Sequence, residues 1–408
     1  MNAKRSSGES SIYRDHQGRW HGYISMGLKD NGRRDRRHVS GARRADVVTK
    51  VRELERKRDA GTAGVAGKVS TVEQWLEHWL DTIAAGKVKP STLTRYRGLV
   101  RHQIAPGVGH HRLDRLQPEH VDELYARLLA GGLAPATVLQ CHRVLSRALK
   151  VARQRDKVAR NVCTLVDAPT VERTEVQPLT GEEARRALAA AVTARNGARW
   201  AVALALGLRQ GEALGLQWSD VDLDAGTLRV RAALQRRPWQ HGCTEPERCG
   251  AHLKPSQRAS RCPHRHGGGL VVTTPKSRAG KRTITLPPQM TEALRGHRAA
   301  QVAERLAAGS LWEDHGLVFC QVNGRPLDPS KDHQAWRSLL AAAGVRSAKL
   351  HDARHTAATL LLMQGVKARV VMEILGHSQI GLTLGTYSHV MPELARDAAD
   401  RMGEALWG

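Results

Sequence analysis

Phenylalanine occurs once in 408 residues and tyrosine five times, and aromatic residues together make up 4% of the chain. Any core must be filled mainly by aliphatic side chains and the nine tryptophans. Acidic residues are also scarce, with 39 Asp and Glu against 64 Lys and Arg, a formal charge of +25. A field of that sign argues against basic partners and suits a polyanion, nucleic acid above all. Long apolar runs are missing. The longest, WAVALALGL, falls far short of the roughly 20 residues needed to cross a bilayer. The opening MNAKRSSGES has no apolar stretch of signal-peptide type. Both absences lead to the expectation of a cytoplasmic protein without a membrane role. Cysteine is limited to six residues, and disulfides are not expected in that compartment.

The length suits two or three domains. In residues 1–66, short alternating stretches broken by HQG and NG predict a small three-stranded sheet, followed by a charged helix in ARRADVVTKVRELERKRDAG. GTAGVAGK reads as a linker. Residues 67–168 are helical in pattern, with Ser91 and Pro118 marking two helix starts. By periodicity this is any small helical bundle. Thr92, Arg95, Tyr96 and Arg143, polar or basic and near helix starts, are candidates for phosphate contact. The breaker-rich APTVERTEVQPLTGEEARR then leads into a third region, taken as 169–408. The fold class expected is mainly α with small β-sheets, α+β.

Tyr387 is the only tyrosine after position 125, and it follows His377 by ten residues. A tyrosine hydroxyl can attack a phosphodiester and hold one DNA end covalently, without loss of bond energy to water. Such chemistry needs positive groups at the non-bridging oxygens and a proton donor for the leaving oxygen. In HDARHT, His351 and Arg354 share a helix face, and a guanidinium fork suits phosphate. The segment ALALGLRQGEALGLQWSDVDL predicts an apolar helix, a turn at Gly207, and a second helix carrying Arg209 and Glu212 near its start. VVTT and RTITL, around a Ser-Arg-Ala-Gly turn, predict a hairpin presenting Lys276, with Lys281 the alternative. Each residue also has a plain reading: Tyr387 as an anchor for a C-terminal helix, HDARHT as a solvated helix end, Lys276 as a surface lysine.

Four blocks in order, G-L-R-x-G-E-x-x-x-L-x-W-x-D, H-x-x-R-H-T, L-G-H and a Tyr ten residues on, resemble the tyrosine recombinase (phage-type integrase) family. The resemblance implies a site-specific recombinase that works through a 3′-phosphotyrosine intermediate. Arg209 and Arg354 would clamp the scissile phosphate, His351 would handle protons, and His377 would hydrogen-bond a non-bridging oxygen. Lys276 would be the general acid, Tyr387 the nucleophile, and Glu212 would orient Arg209. It further implies an arm-type DNA-binding domain at 1–66, a core-binding, SAM-like domain at 67–168 and a mixed α/β catalytic domain beyond. Partners implied are double-stranded attachment sites, a homotetramer on DNA, an excision factor and a host DNA-bending protein. A nucleoid-associated protein needing no cofactor for catalysis is the corresponding expectation.

HGCTEPERCGAHLKPSQRASRCPHRHGGG at 241–269 departs from the family pattern. Cys243, Cys249 and Cys262, with His241, His252, His264 and His266, supply enough nitrogen and sulfur for a structural zinc site, for which Cys243, Cys249, Cys262 and His264 are the ligands chosen, although C-x5-C-x12-C-x-H is not a standard finger spacing. The alternative is a polar loop with free thiols. At the C-terminus, Leu394, Ala398, Met402 and Leu406 have helical spacing and would dock on a neighbouring protomer or pack in cis. Two other function classes stay open: a type IB topoisomerase, which shares the chemistry but needs no second DNA site, and a non-catalytic zinc-containing DNA-binding regulator.

Overall fold

The computed structural model describes residues 11–28, 34–59, 70–172, 177–243, 249, 259–273, 280–376 and 391–407. The chain divides into two compact units, Met1–Arg173 and Thr174–Gly408.

In the first unit, β1 (Ser11–Arg14), β2 (Trp20–Leu28) and β3 (Arg34–Gly41) form an antiparallel sheet in the order β1-β2-β3. Alternation sorts its two faces. Ile24 packs with Val47 and Val51 of α1 (Arg44–Asp59). Tyr13, His21, Tyr23 and His38 stack together, with ring centroids 4.8–6.2 Å apart, and the Arg36 guanidinium lies over the Tyr23 ring.

Residues from Val72 to Leu165 are largely helical: α2 (Val72–His78), α3 (Pro90–Leu99), α4 (Ala105–Val108), α5 (Pro118–Ala130) and α6 (Pro135–Gln154), with π-helical turns extending α2 and α3. Trp75, Leu76, Trp79, Ile104, Leu124, Leu145 and Leu149 fill one core. The Trp75 indole N–H donates to the Ala148 carbonyl at 3.1 Å, so its burial leaves no unmet donor. Ser91 is not the cap expected from sequence. The helix starts at Pro90, whose fixed φ and missing N–H suit the first turn.

The second unit is organised around α8 (Ala198–Leu206), which is apolar on nearly every side and buried accordingly. Trp200, Ala203 and Leu204 face a cluster with Trp336, Leu339, Leu340 and Ala353. Val202 and Leu206 face another, with Leu228, Ile284, Leu294 and Phe319. Around it lie α7 (Gly181–Ala191), α9 (Gln210–Leu214), α10 (Pro288–Ala308), α11 (Pro329–Ala342), α12 (Leu350–Met363) and α13 (Ala368–Leu375), and the chain ends in α14 (Met391–Trp407). Among the described residues no helix is long and apolar enough to cross a membrane.

The β-strands of this unit correct one expectation. β7 (Gly269–Thr273) and β8 (Arg282–Thr285) flank Lys276 but do not pair with each other. β8 pairs with β5 (Thr227–Val230), itself paired with β4 (Val221–Asp222), while β7 pairs with β6 (Ala233–Arg237). β6 and β7 thus form a two-stranded ribbon, and the described residues 241–243 and 259–268 lie beyond its end. Alternation identifies a strand but not its partner.

Leu76, fully buried in the helical core of the first unit, tests that packing. Leu76→Ala should cost about 2–5 kcal/mol in denaturant unfolding, and a change below about 0.5 kcal/mol would contradict the burial described.

Candidate active site

Gly207 ends α8 in the left-handed region with φ +60°. A Cβ there would lie 2.5 Å from Leu375 Cδ2 and 3.2 Å from Ala357 Cβ, so only glycine lets the helices approach this closely. The chain re-enters helix with Arg209 in extended backbone just before α9. Glu212 reaches back to accept the Arg209 backbone N–H at 3.1 Å through Oε2 and its Nη1 at 2.7 Å through Oε1. On the opposite side, Arg282 of β8 donates Nη2 to Glu212 Oε2 at 3.0 Å.

Burial would by itself raise the Glu212 pKa. The charge and hydrogen bond of Arg282, then those of Arg209, outweigh that effect and hold the carboxyl below its ordinary value. Glu212 is 5% exposed, and the Arg209 side chain is 41% exposed. The carboxylate therefore stays charged, with its exposed arginine oriented toward solvent.

Three arginines converge on the last carbonyls of α13. Arg282 Nε donates to Ile374 O at 2.5 Å, Arg354 Nη2 to Leu375 O at 2.6 Å, and Arg209 Nη2 to Gly376 O at 3.2 Å. Arg354, 3% exposed, also donates Nη1 to Gly207 O at 2.7 Å. A helix C-terminus leaves carbonyls without intrahelical partners and carries partial negative charge, which explains why cations gather there.

His351 lies in the first turn of α12, whose start is capped by Asp352 accepting the Lys349 N–H at 2.8 Å. Its outer side is open to solvent. Lost hydration on the other side, and then the Arg354 and Arg209 charges, hold the imidazole below the ordinary histidine range, with Asp352 opposing. It is therefore neutral at pH 7 and can accept a proton. The His355 ring meets it edge-on, with centroids 4.9 Å apart.

Of the six candidate catalytic residues, Arg209, His351 and Arg354 come together here, with Glu212 beside them. Lys276, His377 and Tyr387 lie outside the described residues. Lys281, the alternative lysine, is exposed next to Arg282. In the first unit, Thr92, Arg95 and Tyr96 lie on α3 and Arg143 on α6. Arg95 and Arg143 are exposed, whereas the Tyr96 ring stacks on Trp79 at 5.9 Å and its hydroxyl accepts from Arg147 Nη1 at 3.3 Å. At the ribbon's end, Cys243, Cys249 and Cys262 come together with His241 rather than with the expected His264. Spacing along the chain favoured the histidine nearest Cys262, but the strand pairing presents the one on the opposite arm.

Arg282 escaped sequence reasoning. Its signal was strand alternation, since it shares a face with the buried Ile284 and Leu286, where an arginine needs a partner.

Comparison with known proteins identifies the arrangement. A model described as the phage integrase family matches residues 269–393, and one described as the phage integrase N-terminal SAM-like domain matches residues 71–129. An integrase from Saccharopolyspora erythraea is 43% identical over 436 aligned positions that cover the whole of both chains. The chain belongs to the tyrosine recombinases of the phage integrase family. In fold, this integrase is similar to the Tn1549 transposon integrase in complex with transposon right end DNA (TM-score 0.62, 22% identity, covering 82% of this chain and 99% of that one). It is also similar to a lambda integrase tetramer bound to a Holliday junction (TM-score 0.51, 17% identity, covering 90% and 95%). The integrase is a site-specific recombinase that breaks and rejoins DNA strands, and neither the topoisomerase nor the regulator reading is favoured.

Glu212→Gln should cost about 3–5 kcal/mol, because it leaves the buried Arg282 without its counter-charge. A depressed carboxyl pKa contributes stability that is present above the unfolded value of about 4.3 and lost as pH falls through the lower folded value. Denaturant titrations from neutral pH to about pH 3 should show wild type losing this contribution while Glu212→Gln stays flatter. Parallel profiles would remove Glu212 from this role.

Proposed function

We propose that this integrase recombines attachment sites of a phage or integrative element through a covalent 3′-phosphotyrosine at Tyr387. The observation that carries this reading is the closure of Arg209 and Arg354 on the end of α13, with His351 beside them, at the point from which the chain continues to His377 and Tyr387. The Tyr387 oxygen attacks phosphorus, and the bond to the 5′ oxygen breaks as that oxygen takes a proton from Lys276. His351, held neutral, receives the tyrosine proton. Arg209 and Arg354 stabilise charge on the non-bridging oxygens, His377 donates a hydrogen bond to one of them, and Glu212 keeps Arg209 oriented. Rejoining reverses these steps, so ATP and a catalytic metal are unnecessary.

Two such exchanges, through a Holliday junction, make a homotetramer the working assembly. The C-terminal helix supports this reading, since Met402, Leu406 and Trp407 are 58%, 62% and 83% exposed. The N-terminal sheet is assigned to arm-type sites, with Arg36 over Tyr23 on its outer face. Thr92, Arg95, Tyr96 and Arg143 are assigned to the core site. An excision factor and a host DNA-bending protein complete the set of partners, in the cytoplasm at the nucleoid.

With nicked duplexes tiled from DNA flanking the gene, wild type should form an SDS-stable protein–DNA adduct and Tyr387→Phe none, while both bind. An adduct from both would move the nucleophile elsewhere. Arg209→Ala should slow cleavage by about 10²–10³-fold. Because the His351 pKa is lowered, its neutral form predominates at about pH 6.5 and is lost as pH falls through the lower value. Single-turnover cleavage should therefore show an acid limb below that pH which His351→Gln abolishes, and a limb that persists in the variant would assign it to another group.

A further inference from the structure

We propose that His241, Cys243, Cys249 and Cys262 bind one structural zinc ion that closes the end of the β6–β7 ribbon. The four donor atoms all lie within 4.8 Å of one another. His241 Nδ1 and Cys243 Sγ are 3.6 Å apart. Zinc–sulfur bonds of about 2.3 Å and zinc–nitrogen bonds of about 2.0–2.1 Å give tetrahedral S···N edges near 3.5 Å and S···S edges near 3.8 Å. Three free thiols meeting at one point cannot all pair as disulfides. A shared soft cation accounts for all three, together with the imidazole.

The scaffold is built for this convergence. The β6–β7 register, with Arg237 opposite Gly269, is kept at an isolated bridge of Gln240 with His266, where each backbone N–H donates to the other residue's carbonyl at 2.9 and 3.0 Å. His241 therefore leaves the ladder at a fixed position, and its carbonyl accepts from His266 Nε2 at 3.2 Å. Gly242 lets the arms cross: a Cβ there would lie 2.1 Å from the His264 carbonyl oxygen. The chain turns just after the buried Cys262, whose carbonyl accepts the Arg265 N–H at 3.1 Å. On the other side, Arg265 lies over the Trp239 ring, 4.7 Å from its centroid. Four protein donors leave no open coordination position, so the ion is structural and takes no substrate. Its binding energy adds to the folding energy of this segment.

The test uses the full chain. Purified with zinc present and dialysed, wild type should hold one zinc per chain by elemental analysis. Cobalt exchanged into it should give the intense visible bands and thiolate charge-transfer absorption of a tetrahedral site. Cys262→Ser and His241→Asn should lose the metal, whereas His264→Asn should keep it. Chelation should expose the segment 241–268 to limited proteolysis while the rest of the catalytic unit stays resistant. Substoichiometric metal in wild type, or a weak six-coordinate cobalt spectrum, would overturn the proposal even if the cysteine variants fail to fold. Loss of zinc from His264→Asn with retention in His241→Asn would overturn the ligand assignment.

Discussion

Three guanidiniums meeting the last two carbonyls of one helix and that of its C-cap, Gly376, organise the described part of this site. Arg209, Arg282 and Arg354 come from separate elements, yet all donate to residues 374–376 at the end of α13. Bringing three cations together in a mostly buried space costs electrostatic energy. Glu212 offsets part of it by bridging Arg209 and Arg282, and the negative end of the helix dipole offsets more. Burial first, and then the Arg354 and Arg209 charges, hold His351 below the ordinary histidine range. One cluster thereby sets the orientation of the exposed arginine, the protonation of the histidine and the departure point of the segment that leads to Tyr387.

The cluster depends on close packing behind it. Gly207 and the apolar α8 allow Leu375 and Ala357 to approach the turn before Arg209, and that approach puts the Gly207 and Leu375 carbonyls within reach of a single Arg354 side chain. Gln210, next to Arg209, carries the network further by donating to Asp332 at 3.0 Å, the carboxylate that also receives the fully buried Arg199 at 3.1 Å. Packing and charge are therefore coupled, because each arginine is oriented by a carbonyl that only the helix packing delivers.

The strands of this unit serve two different tasks. β8 supplies Arg282 to the site, and the far end of the β6–β7 ribbon gathers three thiols and an imidazole. An extended two-stranded ribbon buries little apolar surface at its tip and is marginal without further support. The metal cross-link proposed there would provide stability that a short segment rich in Gly, Arg and His does not obtain from hydrophobic burial.

Composition and local pattern alone determined the positive charge, the largely helical character, the N-terminal three-stranded sheet and the order of motifs that names the family. These depend on residue type and on spacing within one element, where periodicity and capping act over a few residues. They also placed Arg209 and Glu212 near a helix start and His351 and Arg354 together on one helix. Tertiary structure decided what depends on partners distant in the chain. It showed which strands flanking Lys276 pair with which, that Arg282 completes the Glu212 bridge, and that His241 rather than His264 faces the cysteines. Strand alternation carries no address for a partner strand, and a histidine two residues from Cys262 in sequence can lie on the wrong side of a turn. Those choices were made by register and packing across gaps of 20 to 170 residues, as in the 167 between Arg209 and Gly376.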